Sequence, residues 1–368
     1  LHIEQVNIDI DESLAPEETP PDTPDDDSGV FITPIIHDFV LNAIRVNYRG
    51  RGDPHAVEFF LEKLAIEEFS ETKPLLVTAH GQISGRKFIL DGTLGDLAGL
   101  LEGTSPYPAN LELQLPAGSV NLDGQVGKPH EGTGLDFQLD VHVPSLEELV
   151  ALVHLQMPPL GALSFSTRIL GSVNAPELSD TDLALQHDGL AINVRGGIRE
   201  PLALRGIELQ IDSQLSNRAV LDYFLSEYLP AAESVSLSAR LQSEEDNVAV
   251  KDLSVLLMAD KGLTATLKGQ AMLARRDQAL TNIDARLEYR ARDTSAIRHF
   301  NAQVPLVGPV HLKALLAGDT AQLSITGISL RAGSEQGIQL GAGGRLTLAE
   351  LTGTPRLSSL DFGTTLTA

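Results

Sequence analysis

Gly189-Leu190-Ala191-Ile192-Asn193-Val194-Arg195-Gly196 is a strand bracketed by glycines, and the same figure recurs along the chain. Later copies are Gly262-Leu263-Thr264-Ala265-Thr266-Leu267-Lys268-Gly269 and Gly337-Ile338-Gln339-Leu340-Gly341-Ala342-Gly343-Gly344. An earlier copy, one residue shorter, is Gly118-Ser119-Val120-Asn121-Leu122-Asp123-Gly124. The closing glycines lie 72, 73 and 75 residues apart. Leu190, Ile192 and Val194, like Leu263, Ala265 and Leu267, fall on every second residue, the period of a strand with one buried face. A repeat of about 73 residues built mostly of strands predicts an extended stack whose units bury their apolar faces against their neighbours. The expected fold is mainly β: an elongated, repeating antiparallel sheet curved into a groove, with a few short capping helices.

Working outward, residues 1–10 alternate (Leu1, Ile3, Val6, Ile8, Ile10) and read as a strand. The stretch Asp11 to Ser28 carries eight acidic residues and four prolines. It cannot build a core and reads as a solvated loop. The spacing of Asp22, Asp25, Asp26 and Asp27 does not match a calcium loop. Residues 1–30 thus form an N-terminal strand and acidic Pro-rich loop, 31–116 a first groove segment, and 117–368 the repeated units. Phe39 and Leu41 with Ile44 and Val46 read as a hairpin, and His55 to Phe69 as two alternating runs joined by a kink. Helices are expected at 94–101, 145–155, 217–229 and 294–300, with a Ser145/Glu148 capping box opening the second. Pro230 stops the third. Each of the last three is followed by a turn and an alternating strand, so the repeat reads as helix, turn, then four or five strands.

Composition narrows the function. Fifty acidic against 27 basic residues give a net charge of −23, which opposes binding to nucleic acid and to anionic headgroups. Aromatic residues are 4% with no tryptophan, so stacking platforms for bases or sugars are scarce. Cysteine is absent, which removes disulfide and thiol chemistry. No stretch approaches the ~20 apolar residues of a spanning helix. The chain opens at Leu1 inside an alternating pattern, which leads us to expect an upstream part holding any signal or anchor.

Catalytic signatures are wanting. Ser84 in His80-Gly81-Gln82-Ile83-Ser84-Gly85 is one position off a hydrolase elbow and reads as a hairpin turn. The ten histidines are dispersed without zinc-ligand spacing. Gly341, Gly343 and Gly344 lack the third glycine and following helix of a dinucleotide site. Asp136 with Asp140, and Asp180 with Asp182, share strand faces, but a glycosidase pair normally stands beside aromatic sugar platforms. The reading is of a protein without enzymatic activity, metal or cofactor.

Tyr107-Pro108-Ala109-Asn110-Leu111-Glu112-Leu113, Leu122-Asp123-Gly124-Gln125-Val126, Val143-Pro144-Ser145-Leu146-Glu147-Glu148-Leu149, Pro158-Pro159-Leu160-Gly161-Ala162-Leu163-Ser164-Phe165-Ser166-Thr167, Leu183-Ala184-Leu185 and the strand at 189–196 together resemble the AsmA family of bacterial envelope proteins, relatives of TamB and YhdP. The similarity spans most of residues 35–350 and is a diffuse pattern of glycines, helices and strands. It implies a periplasmic protein held in the inner membrane by an N-terminal anchor that this sequence lacks. It also implies a groove carrying phospholipid acyl chains toward the outer membrane, with outer-membrane or periplasmic protein partners. The acidic insert at 11–28 stands where a compact turn would be expected.

Alternating strands with few aromatics leave an apolar face that a second layer or a ligand must cover. About twenty strands at ~4.8 Å spacing suit a trough, and acyl chains suit a trough because they need apolar area and no directional contacts. Alternation assigns Leu111, Leu113, Phe137, Leu139, Val141, Phe165, Leu190, Ile192, Val194, Leu209, Ile211, Leu237, Leu263, Leu267, Leu312 and Leu340 to the inner, lipid-facing side. Glu112, Gln138, Asp140, Asn193, Arg195 and Gln210 then face solvent. The competing expectations are a structural or adhesive β-solenoid filled by its own side chains, and a polysaccharide-acting enzyme.

Overall fold

A computed structural model describes residues 2–11, 39–49, 57–67, 73–103, 106–151, 157–225, 232–244, 247–259, 262–275, 279–295, 306–333, 339–351 and 356–367. Within them lie twenty strands and three α-helices, and the strands are overwhelmingly antiparallel. The chain divides into two compact units, Leu1–Met157 with Gly161–Pro176, and Pro158–Leu160 with Glu177–Ala368.

The first unit contains β1 (His2–Asp11), β2 (Phe39–Arg49), β3 (Val57–Glu67), β4 (Leu75–Ile83), β5 (Arg86–Leu94), α1 (Leu97–Glu102), β6 (Tyr107–Leu115), β7 (Gly118–Lys128), β8 (Thr133–Val143), α2 (Leu146–Ala151) and β9 (Ala162–Ser172). From β2 to β9 each strand pairs antiparallel with the next. The expected N-terminal strand is present over His2–Asp11, but β1 lies parallel to β2, against the antiparallel expectation. The expected hairpin at 39–46 is a single strand: Ala43 adopts a left-handed conformation (φ 55°), which resets the alternation between Leu41 and Ile44. Residues 57–67 are likewise one strand, irregular against β4 between Leu61 and Lys63. The tightest alternation is in β4, whose Leu75, Val77 and Ala79 are buried while Leu76, Thr78 and His80 are exposed.

The second unit contains β10 (Pro176–His187), β11 (Leu190–Glu200), β12 (Arg205–Leu215), α3 (Arg218–Leu225), β13 (Ala232–Glu244), β14 (Asn247–Ala259), β15 (Leu263–Ala274), β16 (Leu280–Ala291), β17 (Val310–Gly318), β18 (Gln322–Ala332), β19 (Gln339–Ala349) and β20 (Arg356–Thr367). Every strand pairs antiparallel with its sequence neighbour. Four strands follow α3 before the chain reaches Ser295, the one described helical residue of the expected 294–300 helix. Residues 296–300, 152–155 and 226–229 of the expected helices lie outside the described residues. In the first unit only three strands separate α1 from α2. The glycine-bracketed strand is therefore the third after its helix in the later copies and the second in the copy at 118–124.

The helices are anchored by their caps. Asp96 caps α1 by accepting from the Gly99 amide at 2.7 Å, and Asn217 caps α3 by accepting from Val220 at 3.2 Å. Ser145 accepts from the Glu148 amide at 3.3 Å, half of the expected capping box, while Glu147 reaches across to accept from the Gly161 amide at 3.2 Å.

Why the closing glycines recur is visible in the pairing. In the second unit a left-handed residue stands in the second strand of each repeat: Asp180 (φ 51°), Asp252 (φ 52°) and Gly327 (φ 57°). The register slips there, and the residue that follows pairs with a closing glycine: Thr181 with Gly196, Leu253 with Gly269, Ile328 with Gly344. A Cβ built on Gly269 would sit 2.2 Å from the Asp284 carbonyl oxygen and 2.5 Å from the Ala285 Cα, and Gly196 and Gly344 meet the backbone of the next strand in the same way. A bulge bends its strand, and a glycine lets the neighbouring backbone approach closely. Each repeat of the second unit thus carries a bend and a close approach at its closing glycine.

Candidate functional site

Directly paired residues of antiparallel strands share a face, so the register decides which side chains meet. In the first unit one row runs Ile66, Val77, Gly92, Leu111, Leu122, Leu139 and Thr167, and the next runs Leu64, Ala79, Leu90, Leu113, Val120, Val141 and Phe165. Phe137 pairs with Gly124 and Ile169 on the same face. All six inner residues expected there are therefore side by side.

In the second unit a longer row runs Leu190, Leu215, Val235, Leu257, Ala265, Tyr289, Leu312, Leu330 and Ala342. Beside it runs Leu185, Ile192, Ser213, Leu237, Val255, Leu267, Leu287 and Ala314. Val194 pairs with Ile211, and Leu209 with Gly196, to continue this face. Leu263 pairs with Ala259, and Leu340 with Ala332, at its margin. The remaining ten expected residues thus share one face of this unit. No position in any of these rows is Asp, Glu, Lys or Arg.

The burial of this face is uneven. Phe137, Leu190 and Leu263 are buried, Leu340 is 37% exposed, and the other twelve are half-buried. The margin formed by Ala259, Leu263, Ala291, Val310 and Ala332 is a packed core, with Leu257, Tyr289, Val307 and Leu330 against it. The Tyr289 hydroxyl is buried without a hydrogen-bond partner among the described residues. Burial raises its pKa, and the negative charge of Asp293 adds to that. It is a phenolic donor set in an otherwise aliphatic row, which alternation alone did not single out.

The opposite face is polar. Glu112, Gln138, Asp140 and Arg195 are exposed, and Asn193 and Gln210 half-buried, as expected for the solvent side. Two of its carboxylates are taken up in ion pairs: Arg168 donates to Asp136 at 2.7 and 2.9 Å, and Arg195 to Asp182 at 3.2 Å. The Arg168 hydrogen bonds hold the Asp136 carboxyl below the usual carboxylate range. Asp180 and Asp182 do not form the simple same-face pair expected, because the left-handed Asp180 interrupts the alternation. Ser84 and Gly85 (φ 49° and 77°) form the turn between β4 and β5, so the elbow-like stretch is a hairpin. Among the described residues no three His, Cys, Asp or Glu side chains gather as a metal site. No described helix is long and apolar enough to cross a membrane.

No family model, no curated protein and no solved structure matches this chain. The uncharged inner face is the ground on which a function can be read.

Proposed function

We propose that the inner face binds the acyl chains of phospholipids and that the protein is a lipid-binding, lipid-transfer module. One observation carries the reading: rows up to nine strands long contain no formal charge, and most of their side chains are half-exposed. A face of this kind left to water is costly at about 25 cal/mol per Å2, and an acyl chain covers it without needing a directional partner. The resemblance to the AsmA family extends the proposal to a periplasmic setting, an inner-membrane anchor upstream of Leu1, movement of lipid between inner and outer membranes, and envelope protein partners. On this reading the chain conducts no chemistry, and its groove requires neither metal nor cofactor.

The second reading, a structural solenoid, draws on the packed margin around Val310, where the same face is filled by its own side chains. Ile192→Asp and Leu209→Asp separate the two, read by native mass spectrometry for bound lipid and by thermal midpoint. A folded, lipid-free protein is the expected outcome, because a carboxylate in an open trough keeps much of its water but cannot be covered by a hydrocarbon. Unfolding supports the solenoid. Unchanged lipid retention in a folded protein defeats the groove assignment.

A further inference from the structure

The outer face of β14–β18 is anomalous in a chain of net charge −23. Lys268 on β15 stands directly opposite Arg286 on β16, and Arg290, His311 and Arg331 stand opposite one another across β16, β17 and β18. Lys313 lies opposite Glu288 in the row between. Directly opposed side chains have Cβ atoms about 5 Å apart, and like charges so placed repel. Glu288 is shared by three of these groups, at 2.6 Å from Arg290, 2.9 Å from His311 and 3.8 Å from Lys313. Lys268, Arg286 and Arg331 have no carboxylate partner among the described residues, and all three are exposed.

Apolar side chains sit among these cations on the same outer face. Leu256 is 38% exposed, Met258 44% and Leu315 45%, with Leu315 directly opposite Arg286. Two open concavities bracket the patch: one of about 730 Å3 includes Arg290, Arg292 and His311, while the other, of about 670 Å3, sets Asp252 and Asp284 beside Lys268 and Arg286 and is balanced in charge.

The geometry points to the outer face of β14–β18 as a docking surface for a bilayer bearing anionic headgroups. A headgroup layer accepts what this face offers together: cations spaced over adjacent strands, a hollow lined by Arg290, Arg292 and His311 that suits a phosphate, and apolar side chains that enter between headgroups. An acidic protein segment would satisfy the cations but gives no role to the exposed Leu256, Met258 and Leu315 among them. The strong negative charge elsewhere does not prevent contact. At physiological ionic strength the Debye length is about 8 Å, so only the touching face is felt, and the rest of the surface orients the molecule. The inference stands apart from the acyl-chain reading, since it uses the opposite face of the sheet.

The test is sedimentation of the whole chain with large unilamellar vesicles, either phosphatidylcholine alone or with about a third phosphatidylglycerol, at low and high salt. Each Lys or Arg near an anionic surface strengthens partition about fivefold. Lys268→Glu, Arg286→Glu and Arg331→Glu together are expected to weaken binding to the mixed vesicles at least roughly a hundredfold. Lys73→Glu, Arg86→Glu and Lys87→Glu, which change net charge equally on exposed positions of the first unit, are expected to leave binding within a few-fold. Glu288→Gln, which removes the central carboxylate, is expected to strengthen it. Circular dichroism controls for folding, and the corresponding triple Gln variant serves should the Glu triple misfold. Failure of the unaltered chain to sediment with anionic vesicles at low salt overturns the proposal, as does equal loss in the two Glu triples. Binding to polyglutamate in place of vesicles also overturns it and assigns the patch to an acidic protein. Retention of lipid in the groove, measured on the same variants, is independent of all these outcomes.

Discussion

The margin around Val310 and the middle of the groove around Leu237 and Leu267 lie on the same sheet face and are equally aliphatic, yet the first is a packed core and the leucines of the second are half-buried. Val310 is 2% exposed and packed among Ala259, Leu263, Ala291 and Ala332, whereas Leu237, Val255, Leu267 and Leu287 in the central row are half-buried. Composition does not distinguish the two places. What differs is that the buried side chains at the margin close on one another, with Leu257, Tyr289, Val307 and Leu330 against them, so stability is concentrated at the margin and availability in the centre.

The sharpest way to break that comparison is to place a carboxylate in each. Val310→Asp is expected to unfold the second unit or to cost several kcal/mol, because a buried unpaired carboxylate cannot recover its hydration. Leu237→Asp in the central row is expected to lower the thermal midpoint by only a few degrees. Equal losses measured by thermal denaturation would mean that the central row is as tightly covered as the margin.

A smaller effect tests the close backbone approach at the closing glycine. Gly269→Ala pushes a methyl into the Asp284 carbonyl and the Ala285 Cα, which belong to backbone and cannot rotate away. Overpacking of this kind costs about 1–3 kcal/mol. Gly262→Ala, at the turn before β15, meets nothing within 4 Å, and its cost comes from its left-handed φ of 72° alone. Urea midpoints of the two variants separate crowding from conformational strain. A milder loss for Gly269→Ala than for Gly262→Ala would argue against a close-approach line.

The contrast also shows what a sequence can carry. Period-two alternation at Leu190, Ile192 and Val194 was legible because it is local, and the glycine spacing was legible because a repeated bend demands the same small residue at the same place. Within each unit the expected inner residues could be assigned to one face for that reason. Ala43 was not legible as a bulge: nothing about alanine announces a left-handed backbone, so its phase reset looked like a hairpin. Asp180 read as an ordinary acid sharing a strand face with Asp182, although it sits, like Asp252, at a register slip. The parallel pairing of β1 and the basic patch were hidden for a different reason. Lys268, Arg286 and Arg331 are spread over three strands of an acidic chain, and only the pairing brings their faces together. Packing at the margin, likewise, depends on what covers a strand, which alternation does not encode.

The smallest expected effect lies on the outer face, where solvent weakens every interaction, and it sharpens the comparison by showing how little that face contributes to stability. Arg290 and His311 donate hydrogen bonds to Glu288, with Lys313 nearby, and lower its pKa from 4.5 to about 2. A carboxylate whose folded pKa is depressed contributes stability at pH values above its unfolded pKa and loses that contribution as pH falls through the folded one. The contribution is therefore complete above about pH 4.5 and gone near pH 2. Glu288 is solvent-accessible, so screening keeps the effect slight. Glu288→Gln is expected to lower the thermal midpoint marginally at pH 7, with the gap to the unaltered protein closing between pH 4.5 and 2. A gap that is large at pH 7, or one that widens on acidification, would show that the outer face carries structural weight comparable to the margin around Val310.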